Sequence, residues 1–298
     1  MQNFITRPRA AFSSRAALFL LALLLAGCSA LRMGYANGDT FVYWWLNGYV
    51  DFNDDQKSWV KADIDKFFAW HRTTQLKDYA QLLATIQQRV QHNRVTPAEV
   101  QADFAVARKS TLLVFEKALP ELTDLALSLQ SRQIVYIERK FASNNEKYRR
   151  ENLTGTLEDR QLVRFKKVMT QAEYWLGDFN AEQEKRIRAA SDARPLDNEL
   201  WLGERMRRQQ EMIRMLKKIH AERPAREAVT AMLKEYITRS FENFTYAEHK
   251  AFFDASSDGM AQMVAAIVDT ATPTQRAHAV KRAQKWINDA QALAAQEQ

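Results

Sequence analysis

The stretch Val229-Thr-Ala-Met-Leu-Lys-Glu-Tyr-Ile-Thr-Arg-Ser-Phe241 decides the fold class, because its apolar residues recur every three or four positions. On a helix of about 3.6 residues per turn, that spacing puts one broad apolar face on one side, made of Val229, Met232, Leu233, Tyr236, Ile237 and Phe241. Lysine, glutamate and arginine fall on the other side. The stretch therefore predicts an amphipathic helix.

The same periodicity extends outward through most of the chain. Further stripes are Val60, Ile64, Phe67, Phe68 and His71; Tyr79, Leu82, Leu83, Ile86 and Val90; Leu162, Phe165, Met169, Ala172 and Leu176; and Met260, Met263, Val264 and Ile267. Glycine and proline, which interrupt helices, occur only eight and six times in 298 residues. No segment alternates with a period of two. The sequence predicts an all-α, multi-helix, bundle-like domain.

Four helix starts carry a cap signal, in which a polar residue is followed three positions later by glutamine or glutamate. The cap oxygen accepts a free N–H of the first turn, and the later side chain accepts the N–H of the cap. The pairs are Asn53 with Gln56, Thr96 with Glu99, Asn180 with Gln183, and Thr272 with Gln275. Thr156 and Thr245 are predicted to cap two further helices.

Two of these starts resemble each other beyond the cap itself. Asp51-Phe-Asn-x-x-Gln56 matches Asp178-Phe-Asn-x-x-Gln183, and a Trp-Leu pair precedes each one, at Trp45 and at Trp175. The match indicates either a duplication into two similar helical halves or recurrent helix-start chemistry beside core tryptophans. Because the stripes between the two motifs align poorly, recurrent chemistry is the favoured interpretation.

The N-terminus has the pattern of a bacterial lipoprotein precursor. Arg7, Arg9 and Arg15 precede an apolar run of eleven residues, Ala16 to Ala26. That run suits a secretory signal and is too short to span a bilayer, which takes about 20 residues. Leu-Ala-Gly-Cys, ending at Cys28, matches a lipobox. We therefore predict a signal peptide over residues 1–27, cleavage between Gly27 and Cys28, and a diacylglyceryl lipid on the Cys28 thiol.

The residues after the lipobox predict where the mature protein lies. By resemblance to enterobacterial lipoproteins, Ser29 in place of an aspartate implies sorting to the outer membrane, with the domain facing the periplasm. Residues 28–39 are predicted to be a short tether that holds an all-helical domain, residues 40–298, close to the membrane. The first helix is expected near Asp39.

Charge and cysteine content argue against a nucleic-acid-binding protein and against a fold held by disulfides. Residues 1–27 hold three of the 43 basic residues and no acidic ones, which leaves 40 basic against 36 acidic residues in the mature chain. This small excess argues against dedicated nucleic-acid binding. Cys28 is the single cysteine, so the domain has no disulfide and depends on its core.

Two surfaces are candidates for contact with a membrane or partner. The first is aromatic: Phe41, Trp44, Trp45 and Tyr49 share a helical face, with Tyr43 off it. It is predicted to be core, with an interfacial membrane surface as the alternative. The second is basic, from Arg205, Arg207 and Arg208. A solvated face is the default there, and contact with anionic envelope material is the sharper hypothesis.

No catalytic or metal-binding constellation stands out. The five histidines lack the i, i+4 spacing of a helical metal pair, and His71 is expected to be a hydrogen-bonded core residue. Glu116, Glu173 and Glu235 have apolar neighbours, as any glutamate on a helix flank would. We therefore predict no metal, no cofactor and no enzymatic activity.

Several short motifs, in order along the chain, resemble the proteobacterial lipoproteins grouped under domain of unknown function 6279. They are Arg32-Met-Gly-Tyr35, Tyr43-Trp-Trp-Leu46, Asp51-x-Asn-x-x-Gln56, Trp70-His71, Asn145-x-x-Tyr-Arg-Arg-Glu151, Trp175-Leu-Gly177, Leu200-Trp-Leu202 and Thr272-Pro-x-Gln-Arg-Ala-His278. The resemblance implies lipidation and an all-helical domain and implies no catalytic residues. Ser128 to Gln133 departs from the Leu-Ser-Pro-x-Gln helix start of that family, which leaves the helix boundary there open.

Three functional hypotheses follow. The first is a non-catalytic scaffold or binding protein at the outer membrane, anchored through Cys28, with an envelope protein or polymer as its partner. The second is a periplasmic carrier of an apolar ligand, suggested by nine methionines and sixteen phenylalanines. The third and weakest is a helical glycan-acting enzyme, which would need a buried glutamate in a long groove.

Overall fold

A computed structural model describes residues 30–242 and 247–296. Within these ranges the chain forms eleven α-helices and no strands, which confirms the predicted all-α class. The helices are α1 (Ala30–Ala36), α2 (Gly38–Val50), α3 (Asp54–Gln91), α4 (Pro97–Ser128), α5 (Ser131–Asn152), α6 (Leu157–Leu176), α7 (Ala181–Asp192), α8 (Asn198–Glu222), α9 (Arg226–Glu242), α10 (Ala247–Thr270) and α11 (Pro273–Ala294).

The predicted caps start the helices as expected. Complete capping boxes join Asn53 to Gln56, Thr96 to Glu99, Asn180 to Gln183, and Thr272 to Gln275. Thr156 also caps α6, through a box with Asp159, whereas Thr245 lies outside the described residues. Each cap stabilises its helix by about 1 kcal/mol.

The helix boundary that the sequence left open falls between Gln130 and Ser131. The backbone N–H of Gln130 donates to the Gln133 side chain across 3.0 Å, as in the other boxes.

Two long helices form the spine of the domain. α3 has 38 residues and α4 has 32, which gives lengths of about 57 and 48 Å. A tight turn joins them, and Arg89 pairs with Asp103 across it at 2.5 Å. Because the connection is short, the two helices run antiparallel. α11 packs along α3, and α9 and α10 pack along α4.

Within residues 30–242 and 247–296 there are three hydrophobic cores, whose buried members lie between Val50 and Leu293. The largest packs the start of α3 and the end of α4 against α2, α5, α8 and α9, around Ile134, Ile213 and Ile219. The second joins α6, α7, α10 and α11 around Ile187 and Met263. The third packs α11 along the second half of α3. Residues 29–298 therefore contain every core that the structure describes.

The first helix begins earlier than the sequence suggested. A helix was expected near Asp39 after a tether, but residues 30–36 already form α1. Arg32 pairs with Asp289 at 2.7 Å and Tyr35 shares a hydrogen bond with His71 at 2.9 Å. The predicted tether is thus mostly a docked helix, which lies within two residues of Cys28 in the sequence.

The resemblance between the two helix starts extends to their surroundings. Gln56 of the first start pairs with Gln133, and Gln183 of the second pairs with Gln275. All four side chains are buried.

No described helix combines the length and apolar character needed to cross a bilayer.

Candidate functional site

An elongated cleft of about 640 Å³ lies where α3, α6, α10 and α11 meet. We call it the four-helix cleft. Its volume falls within the roughly 300–1,000 Å³ that is usual for small-molecule sites. Its apolar lining includes Ile86 and Val90 of α3, Val168, Ala172, Trp175 and Leu176 of α6, Met260, Met263, Val264 and Ile267 of α10, and Ala279, Val280 and Ala283 of α11.

The charged groups of the four-helix cleft are concentrated at one end. Arg164 and Lys167 lie near the start of the α6 wall, and Trp175 and Leu176 lie near its end. Twelve residues of helix separate Arg164 from Leu176, which corresponds to about 18 Å along the axis. The lining therefore changes from cationic to apolar along its length.

Arg164 is fixed at the basic end by the last turn of α7. Its two terminal nitrogens donate to the backbone oxygens of Ser191, Arg194 and Pro195, at 2.7, 3.2 and 3.1 Å respectively. A cation at a helix C-terminus is favourable, because unpaired carbonyl groups point there. The Nε atom, however, is buried and has no hydrogen-bond partner. Burial lowers the pKa of Arg164, and the nearby Asp192 carboxylate offsets part of that effect.

Arg194 reaches the same end of the cleft from the connection that follows α7. Its stem crosses α10 at Gly259, where an added Cβ would lie 2.9 Å from Arg194 Cγ. The glycine thus gives the arginine room to pass. One terminal nitrogen points to Met263 Sδ at 3.9 Å, a weak acceptor, and Nε is buried without a partner. Burial lowers the pKa of Arg194, and the charge of Arg164 adds to that effect.

No carboxylate lines the four-helix cleft among the described residues. Asp192 is close enough to act on Arg164, but its carboxylate accepts a hydrogen bond from Arg188 and lies outside the lining. Two partly buried guanidinium groups and the exposed Lys167 therefore face this end without an acid between them. Backbone carbonyls hold Arg164 but carry no net charge, so this end of the cleft keeps an excess of positive charge and suits an anion.

The predicted aromatic surface divides into an exposed part and a packed part. Phe41, Trp44 and Trp45 are 65%, 63% and 62% exposed, whereas Tyr43 and Tyr49 pack against the largest core. The expectation that this cluster is core is therefore wrong for the first three residues. The reason is the orientation of the helix: one face of α2 packs against the domain, and Phe41, Trp44 and Trp45 lie on the opposite face. We call these three residues the aromatic patch.

Trp45 also borders a second apolar groove of about 440 Å³ between α2, α3 and α4. Trp59, Phe67 and Phe115 contribute to its walls. This groove contains both acidic and basic side chains, Asp63, Lys66, Lys117 and Glu121, so it lacks the one-signed charge of the four-helix cleft. Met33 of α1 is a further exposed apolar residue, at 62%.

The predicted basic surface is largely neutralised within α8. The Glu204 carboxylate, 2% exposed, accepts hydrogen bonds from Arg207 at 2.7 and 3.0 Å and from Arg208 at 3.1 Å. Arg207 also pairs with Glu211 at 2.9 Å. Arg205 stacks over the Tyr148 ring. As a correction to the sequence hypothesis, Arg207 and Arg208 are paired within their own helix and do not form an open cationic patch.

The carboxylates and histidines show no catalytic arrangement within residues 30–242 and 247–296. Glu116, Glu173 and Glu235 lie on exposed helix flanks, and Glu116 and Glu235 pair with basic neighbours. His71 is hydrogen-bonded to Tyr35 and half-buried, as expected. No cluster of three potential metal ligands occurs in these ranges.

Sequence reasoning did not find the four-helix cleft. Arg164, Lys167, Gln171 and Trp175 follow one another at helical spacing beside the apolar stripe of α6, and this arrangement was the available signal. Arg194 could not be assigned, because it lies in a connection whose path depends on tertiary structure. The predicted lipid and sorting residues Gly27, Cys28 and Ser29 lie outside the described residues.

No curated protein and no solved structure matches this chain significantly. One family model matches residues 48–235, more than half of the chain. The match includes Arg164 and Arg194 and ends before α10, and it begins after the aromatic patch. The chain therefore belongs to DUF6279, a family of unknown function.

Proposed function

We propose that this chain is a non-catalytic, lipid-anchored binding protein of the bacterial envelope that holds an apolar ligand in the four-helix cleft. The observation that carries the proposal is the cleft itself, an apolar volume of about 640 Å³ bounded by four helices. A well-packed domain without such a volume would have favoured a scaffold instead.

The proposed setting is the inner leaflet of the outer membrane, with the domain in the periplasm. Its support is the Cys28 lipobox with Ser29 after it, together with the aromatic patch on α2. Tryptophan side chains favour the interface between lipid and water. A lipid on Cys28 would hold α1, and with it α2, close to such an interface.

A titration with N-phenyl-1-naphthylamine, an uncharged apolar fluorophore, tests the ligand site. The sample is the mature chain from residue 28 with Cys28→Ser, which keeps every described core. We expect saturable binding to one site, with energy transfer from Trp175 in the cleft wall. Val264→Trp, which fills the cleft from α10, should abolish binding, and Val106→Trp, on the exposed surface of α4, should not.

Two results would overturn the ligand site. The first is unsaturable fluorescence, and the second is equal binding by the two tryptophan variants. If Val264→Trp fails to fold, Trp175→Leu with Trp286→Leu replaces it: the Trp286 ring lies 5.6 Å from that of Trp175, so removing both indoles while keeping an apolar wall should lower the energy transfer to the bound fluorophore. Unchanged transfer would place the dye elsewhere.

A second function, a scaffold for an envelope protein or polymer, is favoured by the aromatic patch and the groove beside Trp45. In-cell photo-crosslinking from position 44 distinguishes the two. Crosslinks to one protein would support the scaffold, whereas crosslinks to lipid would support membrane seating of the patch.

A further inference from the structure

We infer that the ligand of the four-helix cleft is a single-chain amphiphile with an anionic head group, bound with its head between Arg164, Arg194 and Lys167. This inference rests on the proposed ligand-binding function and specifies its chemical class. It follows from the distribution of charge along the cleft, which a purely apolar cargo would not require.

The four-helix cleft has one charged end and one apolar end. At one end, Arg164 and Lys167 on α6 meet Arg194, whose side chain contacts Gly259 and Met263 of α10. At the other end lie Trp175 and Leu176 of α6 with Ile267 of α10. The two facing walls therefore run from basic to apolar in the same sense, as required for a ligand with one charged end.

Neither arginine of the four-helix cleft has a carboxylate partner in its lining. Arg164 uses its terminal nitrogens on backbone carbonyls, and its Nε is buried without a partner. Arg194 has a buried Nε of the same kind, and one of its terminal nitrogens contacts the thioether sulfur of Met263. Guanidinium groups are retained where carboxylate or phosphate groups are bound. An anionic head group would supply the negative charge that the lining of the four-helix cleft lacks.

The basic end of the four-helix cleft also has room for a large head group. Arg164 and Lys167 also line a smaller polar pocket of about 280 Å³, together with Arg160, whose Nε is likewise buried and unpartnered. The carboxylates on this pocket are already engaged: Asp159 caps α6 with Thr156, and Glu151 lies 3.8 Å from Lys147. The basic end of the cleft can thus accept a group larger than a carboxylate.

Calorimetric titration with three ligands that share an oleyl chain tests the inference. They are oleate, 1-oleoyl lysophosphatidate and oleyl alcohol, each below its aggregation limit. We expect one site and at least about tenfold tighter binding of an anionic ligand than of the alcohol, since hydrogen bonds to charged groups contribute more than neutral ones. Preference between oleate and lysophosphatidate identifies the head group as carboxylate or phosphate.

Substitutions of the basic residues test which of them bind the head group. Arg194→Gln should weaken the anionic ligand about tenfold or more and leave the alcohol unchanged, and Arg194→Lys should restore part of the loss. Arg186→Gln, which removes an exposed arginine of α7 outside the cleft, is the matched control and should change neither. If Arg194→Gln fails to fold, Lys167→Gln at the exposed rim should weaken the anionic ligand several-fold.

The outcomes separate this inference from the function on which it rests. If oleyl alcohol binds as tightly as both anions, or if neither the Arg194 nor the Lys167 substitution affects anion affinity, the anionic class is wrong while the apolar carrier stands. If none of the three ligands binds, both the class and the carrier function are wrong.

Discussion

Gln133 Nε2 donates to Gln56 Oε1 across 2.7 Å, and both side chains are buried, with 1% and 2% exposure. The pair joins the capping box of α3 to the start of α5. Gln133 also donates to the Asp51 carbonyl at 3.1 Å, and Gln56 donates to the Ser128 carbonyl at 3.3 Å. Each amide therefore closes its own helix start and ties it to the other.

The same arrangement recurs at the other end of the domain. Gln183 and Gln275 lie 2.8 Å apart, and they donate to the carbonyls of Thr270 and Asp178 respectively. The bonds between the amides and to the backbone carbonyls of the first pair have counterparts in the second, whereas the bond from Gln56 to the Ser128 hydroxyl at 2.8 Å is specific to the first pair. The order of the helices differs, however: two helices, α3 and α4, lead from Gln56 to Gln133, whereas four, α7 to α10, lead from Gln183 to Gln275. Recurrent helix-start chemistry therefore remains the favoured interpretation.

The glutamine pair makes a prediction about stability. Gln56→Ala should lower the free energy of unfolding by about 2–4 kcal/mol, because it removes a cap and leaves the Gln133 amide unsatisfied. The double substitution Gln56→Ala with Gln133→Ala should cost less than the sum of the singles. Urea unfolding measures both effects. Gln81→Ala, on the exposed face of the same helix, is the control, and strict additivity of the pair would contradict the account.

The buried carboxylate of α8 makes a second prediction. Glu204→Gln should destabilise the domain by roughly 2–4 kcal/mol, since it leaves Arg207 and Arg208 without their shared partner. Glu116→Gln, in the exposed pair with Lys234 at 3.6 Å, should change stability by less than about 1 kcal/mol. If the two substitutions lower the stability equally in thermal or urea unfolding, Glu204 stabilises the domain no more than an exposed glutamate does.

Glu204 also predicts a pH dependence. Burial alone would raise its pKa, but hydrogen bonds from Arg207 and Arg208 outweigh burial and hold the pKa below the ordinary value. The stabilisation is therefore present above the unfolded pKa of about 4.3 and is lost as the pH falls through the lower folded pKa. Unfolding midpoints between pH 5 and 3 should fall more steeply in the wild type than in Glu204→Gln.

His71 predicts a separate dependence closer to neutral pH. Burial lowers the pKa of His71 below its unfolded value of about 6.5. Because the unfolded chain then binds the proton more readily, the contribution to stability is present above pH 6.5 and is lost as the pH falls through the folded pKa. His71→Gln should flatten the change in urea midpoint between pH 7.5 and 5.5, and His92→Gln, at an exposed turn, should not.

The aromatic patch makes a prediction about membranes. Trp44→Ser with Trp45→Ser should leave stability nearly unchanged, because both side chains are exposed. The same change should reduce flotation of the unlipidated chain with phosphatidylethanolamine and phosphatidylglycerol vesicles. Leu113→Ser, an exposed apolar residue of α4, is the matched control. Unchanged flotation of the double variant would remove the patch from the proposed membrane contact.

The fold could be predicted from the sequence because local rules govern helices. The periodic stripes and the cap pairs at Asn53, Thr96, Asn180 and Thr272 depend on residues three or four positions apart, and the structure contains all four capping boxes. The burial of α2 could not be predicted, because a stripe does not say which face meets the domain. Trp44 and Trp45 are exposed for that reason.

The candidate site was hidden because its parts are distant in sequence. Arg164 and Arg194 are 30 positions apart, and the Met263 wall lies about 70 positions further on. The paired glutamines show the same limit: the match between Gln56 and Gln183 was visible, but their partners Gln133 and Gln275 were not. Helix packing alone brings these groups together.

Native and denaturing mass spectrometry of the same sample test the central claim most directly. The sample is the mature chain with Cys28→Ser, exported to the periplasm and purified without detergent, beside its Val264→Trp and Val106→Trp variants. The account predicts an added mass under native conditions that disappears on denaturation, is retained in Val106→Trp and is missing from Val264→Trp. A native mass equal to that of the bare chain, or an added mass that Val264→Trp retains in full, would contradict ligand binding in the four-helix cleft.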